Sequence, residues 1–544
     1  MDFINATNLH MYIAIAISIV NAFLMWYVGY KFFQILQLSN YRTKAYMSWV
    51  KDTKGKYISR IFMLSILSFA LMMVTNVILD ATNVAAYWFY FGLIFYFYLV
   101  IVFIVNAYNA PKKTPLKITS RMSRLKFLFI IVCAAISFCL IWFFTQFCAP
   151  VGYAAVAITP LLLPIMVLIV NACLVPFEKW NAKRYIKQAK KKLNRYPDLI
   201  KIGITGSYGK TSTKFILSTI LSEKYSVCAT PLSYNTPMGI TKAIIQYLDF
   251  SHQVLIAEMG ARFQGDIKEL CELVQPKYGI LTGIGEQHLQ SFGSLEKIAQ
   301  TKYELVESLP QDGTIVFCGE NQTCIELYNK TTLKNKFICG FDRSYFIYAD
   351  DIVTNKKGTS FNLHIGEQVA SCSTRLLGKH NIENILCASS LAYNLGLTID
   401  EIKSGIMKLQ PIEHRLQLIN LPNGSTILDD SYNGSIDGAQ KALEVLKYFE
   451  GEKIVVTPGL VELGSKEKQA NVDFGEEIAE VADKVVLVNL SNAENLKTGL
   501  KNKNFDDSNI HQVDTLENAK TLLNKIVTEK SVILFYNDLP DNYL

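Results

Sequence analysis

Five apolar runs of about 20 residues, each long enough to cross a bilayer core, occupy the first third of this 544-residue chain, at roughly 10–32, 60–80, 84–107, 126–147 and 151–174. Such an opening commits the chain to a helical membrane region, because every backbone amide in hydrocarbon needs a partner within its own segment. The composition agrees: 50% hydrophobic and 12% aromatic is too apolar for an ordinary soluble enzyme. The first run is too long for a cleaved signal peptide and lacks a basic leader.

The connections predict orientation. Arg42, Lys44, Lys51, Lys54, Lys56 and Arg60 follow the first run, and Lys112, Lys113, Lys117, Arg121, Arg124 and Lys126 follow the third. The connections near Thr82 and Cys148 carry no Lys or Arg. The positive-inside bias then puts the N-terminus outside and everything after the fifth run in the cytoplasm. The expected partner is the lipid bilayer, and the expected location is the cell membrane, multi-pass, with cytoplasmic catalytic domains. No charge sits well inside a run, which disfavours a transport pathway. The membrane region is read as 1–176, with Pro160 and Pro164 kinking its last helix, followed by a basic juxtamembrane linker at 177–198. That linker suits either anionic headgroups or a solvated stop to translocation. Eleven cysteines show neither a CxxC pair nor metal-ligand spacing, so a reduced protein without zinc is expected, and no nucleic-acid partner.

From Leu199 the pattern changes to alternating strands and helices, the sign of stacked α/β domains. "LIKIGIT", "QVLIAEMG" and "YGILTGIG" read as strands and Thr211 to Leu221 as a helix, giving a parallel sheet that binds ligands at its carboxyl edge. Between the first strand and that helix lies "GITGSYGKTSTKFIL" (203–217). Gly206 and Gly209 let backbone amides approach phosphate oxygens, Lys210 supplies charge, and Thr211 suits magnesium. The strict GxxxxGK[ST] pattern is broken at Ile204, which stands where the first glycine belongs. Strands near "STILDD", "KIVVTP", "KVVLVNL" and "SVILFYN" predict a separate Rossmann-like domain over 411–544, after a central domain over 199–410.

The loop's T-G-x-x-G-K-T-S form resembles that of the Mur ligase family. The resemblance continues in order through "YNTPMGI", "AEMGARFQGDI", "HLQSFGSLEKIAQTKYELVESLP", "GKHNIENILCASSLAYNLG", "EHRLQ", "LDDSYNGS" and "VELG". It implies ATP-dependent amide synthesis through an acyl phosphate, with ATP and Mg2+ as cofactors and a small-molecule amine and a carboxylate-bearing precursor as partners, as in peptidoglycan and cell-wall biosynthesis. Gly206, Gly209, Lys210, Thr211 and Ser212 would hold the nucleotide phosphates, and Glu258 and His288 look like magnesium ligands beside Thr211.

By pattern alone Lys302 is a solvated lysine on a helix; the resemblance implies instead a carbamylated lysine that helps to hold a second magnesium. His288 alone would be a hydrogen-bonded loop histidine. His380, Asn381 and Asn384 resemble the family's nucleotide-contacting segment, against a competing reading by pattern as a helix cap and a core-facing pair. Arg415 would close over the phosphates from a hinge, its bland alternative being a surface salt bridge, while Asp430 and Asn433 would meet ribose or adenine.

Two departures alter the substrate grips. The membrane region stands where soluble members carry a domain for the uridine nucleotide, and "LFYNDLPDNYL" stands where a lysine-glycine-serine turn is expected. The expectation is therefore a membrane-bound ligase acting on a lipid-linked, membrane-proximal or polymeric carboxylate. A poly-γ-glutamate-type synthetase and a non-catalytic ATP-binding scaffold are the alternatives.

Overall fold

The computed structural model describes every residue except 1, 40, 53–55, 81–88, 109–114, 148, 233, 288, 433, 462, 489–491 and 538–544. His288, Asn433, Lys54, Thr82, Lys112, Lys113, Cys148, Glu462 and the chain's last seven residues therefore lie outside the described residues. Two compact units divide at Ala182/Lys183, inside the stretch read as a linker.

The first unit is helical. Among the described residues, three helices are long and apolar enough to cross a membrane, within His10–Val28, Ser120–Thr145 and Val151–Leu193. The second and third apolar runs appear as the shorter stretches Ser59–Val74 and Gly92–Asn106, which flank residues outside the described set. The first run is not one helix: Asp2–Val28 ends at Gly29 and Tyr30–Leu38 begins after it. The last is Thr159–Leu193, with Pro164 and Pro176 inside it and Pro160 in its first turn, where a missing amide costs nothing.

Aromatic packing of Trp26, Phe33 and Phe129 fills the middle of this unit. One polar knot ties four helical segments: Asn21 Nδ2 donates to Ser137 Oγ at 3.0 Å and to Thr159 Oγ1 at 2.9 Å, and the Tyr96 hydroxyl donates to Asn21 Oδ1 at 2.7 Å. Inside a bilayer such bonds would join helices where apolar surface offers no drive to associate. Outward-facing Phe23, Phe62, Phe95 and Phe127 are exposed.

The second unit holds two sheets. The first has nine strands: β1 (Ile200–Thr205), β2 (Val227–Ala229), β3 (Val254–Glu258), β4 (Tyr278–Leu281), β5 (Thr314–Cys318), β6 (Asn335–Gly340), β7 (Ile347–Asn355), β8 (Gly358–Ile365) and β9 (Gln368–Thr374). Their order is β2-β3-β1-β4-β5-β6-β7-β8-β9, parallel up to β7 and antiparallel beyond. β3 is buried along its whole length and β1 from Ile202 onward, as a parallel sheet covered by helices requires. Helices Lys210–Leu221 and Lys379–Asn394 cover one face through Ile216, Leu217, Ile220, Ile382, Ile385 and Leu386. The other face packs on Asp266–Val274 and Leu295–Glu307, together with Ala189 and Leu193 from the end of the basic helix.

The second sheet contains β10 (Gln417–Asn420), β11 (Thr426–Asp430), β12 (Lys453–Thr457), β13 (Lys484–Val488), β14 (Ile510–Val513) and β15 (Val532–Tyr536), in the order β10-β11-β15-β12-β13-β14. Only β10 runs antiparallel to its neighbour. Four of these strands are the predicted ones. The α/β class and the α-helical region preceding it match the expectation from sequence.

Candidate active site

β1, β3 and β4 are adjacent, so Thr205, Glu258 and Leu281 end side by side at the carboxyl edge. The chain leaves β1 through Gly206 to Gly209 and enters a helix at Lys210. This loop is bolted to the exit of β4: Ser207 N donates to Gly283 O at 2.6 Å, and Thr282 Oγ1 donates to Tyr208 O at 2.5 Å. Glycine is required twice. A Cβ on Gly206 would lie 2.0 Å from Thr282 Oγ1, and one on Gly209, at φ 79°, would lie 2.5 Å from Asn384 Oδ1.

Lys210 Nζ donates to the loop's own carbonyls, Gly206 O at 2.8 Å and Ser207 O at 2.7 Å. Loss of solvation pulls its pKa down to about 8; Glu258 opposes this and Arg415 adds to it. Ser212 is half-buried on the same first turn. Thr211 Oγ1 donates to Glu258 Oε1 at 3.1 Å, and Asn235 Nδ2 donates to the same oxygen at 3.1 Å. Glu258 is buried, and its second oxygen pairs with Lys214 Nζ at 3.1 Å. Lys214 was not singled out from sequence; its place one helical turn after Lys210 was the available signal.

Lys302 corrects the reading from pattern. It is not solvated: only 3% of it is exposed, on the face of Leu295–Glu307 that packs beneath the sheet. The helix is indexed by Glu304, whose two oxygens accept from Gly265 N at 2.7 Å and Lys268 N at 2.9 Å. Burial drives the Lys302 amine well below the usual lysine pKa; Lys210 pushes the same way, and Asp266 and Glu304 oppose it. Among the described residues it has no ion-pair partner within 4 Å.

The helix Lys379–Asn394 starts beside the loop. Asn384 Oδ1 accepts from Thr213 Oγ1 at 3.1 Å, while Asn381 Nδ2 donates to Leu377 O at 2.8 Å and thus serves its own turn. Burial, followed by the nearby Lys441 charge, lowers the His380 pKa to about 3 and leaves the ring neutral at pH 7. Lys441 also pairs with Glu383 at 3.1 Å and sits over the Tyr208 ring at 5.2 Å, and Asn321 Nδ2 donates to the Tyr208 hydroxyl at 3.0 Å. Tyr208, Asn321, Glu383 and Lys441 are contacts the sequence reading missed, since their partners come from four separate segments.

Arg415 occupies a contorted hinge: its neighbours His414 and Leu416 have φ of 60° and 47°. It forms no surface ion pair among the described residues; its guanidinium lies 4.5 Å over the Tyr432 ring. Asp430 Oδ1 accepts from Leu416 N at 3.2 Å. Desolvation raises its carboxyl to about 6, with Arg415 opposing.

Among the described residues no group of three or more His, Cys, Asp or Glu is arranged to hold a metal. The Thr211 hydroxyl and Glu258 carboxylate nonetheless form a pair of hard oxygen donors next to the phosphate-type loop, the donor chemistry that magnesium takes.

Residues 204–392 match the Mur ligase middle domain and residues 414–536 the Mur ligase glutamate ligase domain. The chain is 30% identical over 277 residues to the UDP-N-acetylmuramoyl-tripeptide--D-alanyl-D-alanine ligase of Escherichia coli K12, covering 51% of this chain and 61% of that protein. It is 29% identical over 276 residues to the Bacillus subtilis ligase of the same name, covering 50% and 59%. The chain thus spans about three fifths of the length of these relatives. MurF ligase from Thermotoga maritima, crystallised with ADP, superposes with a TM-score of 0.59 at 25% identity, over 66% of this chain and 81% of that one. MurF from Acinetobacter baumannii superposes with a TM-score of 0.60 at 24% identity, over 66% and 78%, a likeness of fold. Through its middle and C-terminal domains, the chain belongs to the Mur ligase family.

Proposed function

We propose that the chain is a membrane-attached, ATP-dependent carboxylate–amine ligase whose carboxylate substrate is lipid-linked, membrane-proximal or polymeric and serves the cell wall. A substrate carboxylate oxygen attacks the terminal phosphorus of ATP, forming acyl phosphate and ADP. The amine nitrogen then attacks the acyl carbon, forming the amide, and phosphate and a proton leave.

Gly206, Gly209, Lys210, Thr211 and Ser212 cradle the phosphates, and Lys210 stabilises the charge that develops on the transferred group. His380, Asn381 and Asn384 are the residues proposed to contact the nucleotide and its metal-bound phosphate, Arg415 to close over the phosphates, and Asp430 and Asn433 to meet ribose or adenine. Magnesium, when bound, neutralises phosphate oxygens; Thr211, Glu258, His288 and Lys302 are the residues proposed to hold it. Lys302 would do so as a carbamate: its neutral Nζ bonds to the carbon of CO2, one proton leaves, and a cation becomes a carboxylate-like anion.

The observation that carries this reading is the burial of Lys302 within the field of Lys210, which favours the neutral amine that carbamylation needs. A scaffold that only binds ATP has no use for a lysine there. The three helices that are long and apolar enough to span a bilayer, and the alternation of basic and uncharged connections, support a multi-pass protein with a cytoplasmic ligase unit.

The test is a phosphate-release screen of the detergent-solubilised chain, with lipid-linked and nucleotide-linked carboxylate precursors crossed against amino acids and D-alanyl-D-alanine. Release that depends on both a carboxylate and an amine is expected. Release with ATP alone, unchanged by every pair, would reject the ligase.

A further inference from the structure

Lys214 has no part in the reading above, yet it is one of the largest fully buried side chains in the chain. It lies on Lys210–Leu221 one turn after Lys210, and its Nζ reaches Glu258 at the end of β3 and the backbone at Leu232. A buried ammonium with too few acceptors is costly, so its partners indicate what it is for. Lys214 Nζ donates to Glu258 Oε2 at 3.1 Å and to the carbonyl oxygen of Leu232.

Those two contacts divide the labour of the Glu258 carboxylate. Oε2 is taken by Lys214, while Oε1 is turned towards Thr211 Oγ1 and Asn235 Nδ2. Thr230 Oγ1 accepts from Glu258 N at 3.2 Å and fixes the same residue from its backbone side. Leu232 itself adopts φ 45°, which a branched side chain rarely takes, so the carbonyl that Lys214 holds is presented by a turn under strain. Asn235 O further accepts from Gly260 N at 2.9 Å, directly after the strand that ends in Glu258. Lys214 thus grips both the carboxylate and the carbonyl of Leu232, three residues before Asn235.

We propose that Lys214 is a positioning residue that fixes the Glu258 carboxylate with one oxygen facing Thr211, and that ties this divalent-cation site to the 230–236 loop. The inference rests on the proposed cation role of Thr211 and Glu258 and on no assumption about carboxylate or amine. Groups that orient a metal-binding carboxylate commonly control metal affinity by about 10- to 100-fold when removed. Lys214 also carries positive charge beside that site, so deleting it relieves repulsion of a cation. Orientation and repulsion therefore predict opposite signs, and the experiment distinguishes them.

The experiment is calorimetric titration of ADP into the full-length detergent-solubilised chain across a magnesium series, with hydrogen exchange followed on peptides covering 230–236. Lys214→Met keeps the stem and removes the ammonium. The expected result is an increase of about tenfold or more in the magnesium concentration needed for half-maximal tightening of ADP, with faster exchange in the loop. An unchanged or lower magnesium requirement in a folded Lys214→Met protein overturns the proposal.

Because Met leaves Glu258 buried without its cation, the double variant Lys214→Met/Glu258→Gln provides a second arm that removes both charges together. Against Glu258→Gln alone, the added Lys214→Met should leave the magnesium requirement unchanged, or lower it through the relieved repulsion, while still raising loop exchange. A further rise in the magnesium requirement there would mean that Lys214 acts independently of Glu258, which also overturns the proposal. Failure of the wild-type chain to bind ADP would instead count against the proposed ATP-dependent function, so the two failures are separable.

Discussion

Replacing Lys302 by methionine separates chemistry from packing. The methionine side chain fills nearly the same space as the lysine stem, and volume-conserving changes in a core cost less than about 1.5 kcal/mol. Here even that cost is offset, because burial and Lys210 both oppose the charge that the Lys302 amine carries in the unfolded chain and must give up on folding. The apparent melting temperature should stay level or rise.

Activity should fall by a factor of about 100 to 1,000, the usual consequence of losing one preorganised electrostatic group that faces a transferred phosphoryl. Lys302→Ala then adds a rescue arm. Removing the stem from a site only 3% exposed should cost about 2–5 kcal/mol, but it opens room for a small acid. Acetate or formate should restore part of the phosphate release in Lys302→Ala and none in Lys302→Met. Wild-type turnover by the methionine variant, or equal rescue of both variants, would refute the reasoning.

Gly209→Ala should lower ADP affinity measurably, since it forces a Cβ at φ 79° to within 2.5 Å of Asn384 Oδ1; the strain costs about 1–3 kcal/mol, and calorimetry against Gly265→Ala, where the added Cβ meets nothing, isolates the clash. The His380 pKa is depressed to about 3, so the unfolded chain binds the extra proton between about pH 6.5 and 3; stability from this group is fully present above pH 6.5 and declines as the pH falls through that window. Melting profiles of His380→Gln should be flatter than wild type over that range, and parallel profiles would remove His380 from the explanation. For topology, a cysteine introduced at an exposed site such as Lys468 should resist impermeant thiol reagents in intact cells and react after permeabilisation; labelling from outside would overturn the orientation.

The strands were legible where burial on both faces writes a mostly apolar run: "LIKIGIT", broken only at the half-buried Lys201, became β1, and "KIVVTP" and "SVILFYN" became β12 and β15. β10 and β14 were missed because each is a four-residue edge strand whose sequence, "QLIN" or "IHQV", is half polar and has no period long enough to register. The phosphate-type loop was legible because glycine positions are dictated by backbone approach. The burial of Lys302 was not, since a single lysine in "EKIAQTKYELVES" looks like its solvated neighbours Glu296 and Lys297. Its inward direction is fixed by helix phase, which Glu304 sets through amides almost 40 residues earlier in the chain. For the same reason the Lys441–Glu383 and Asn321–Tyr208 contacts carried no sequence signal.

The pair of left-handed residues around Arg415 makes that hinge a loaded spring. Backbone held in such conformations costs about 1–3 kcal/mol per residue, and in His414 and Leu416 the cost falls on side chains that gain nothing from the conformation as glycine would. A rearrangement that relaxed just one of them would shift the balance between two hinge states by about 5- to 150-fold, comparable with the coupling energy of an ordinary allosteric effector. Under the role proposed above for Arg415, contacts with an anionic ligand worth that same free energy would be enough to favour one arrangement of the hinge over another. In such a hinge a glycine at position 414 or 416 would act as a brake rather than a lubricant, by deepening the arrangement already seen.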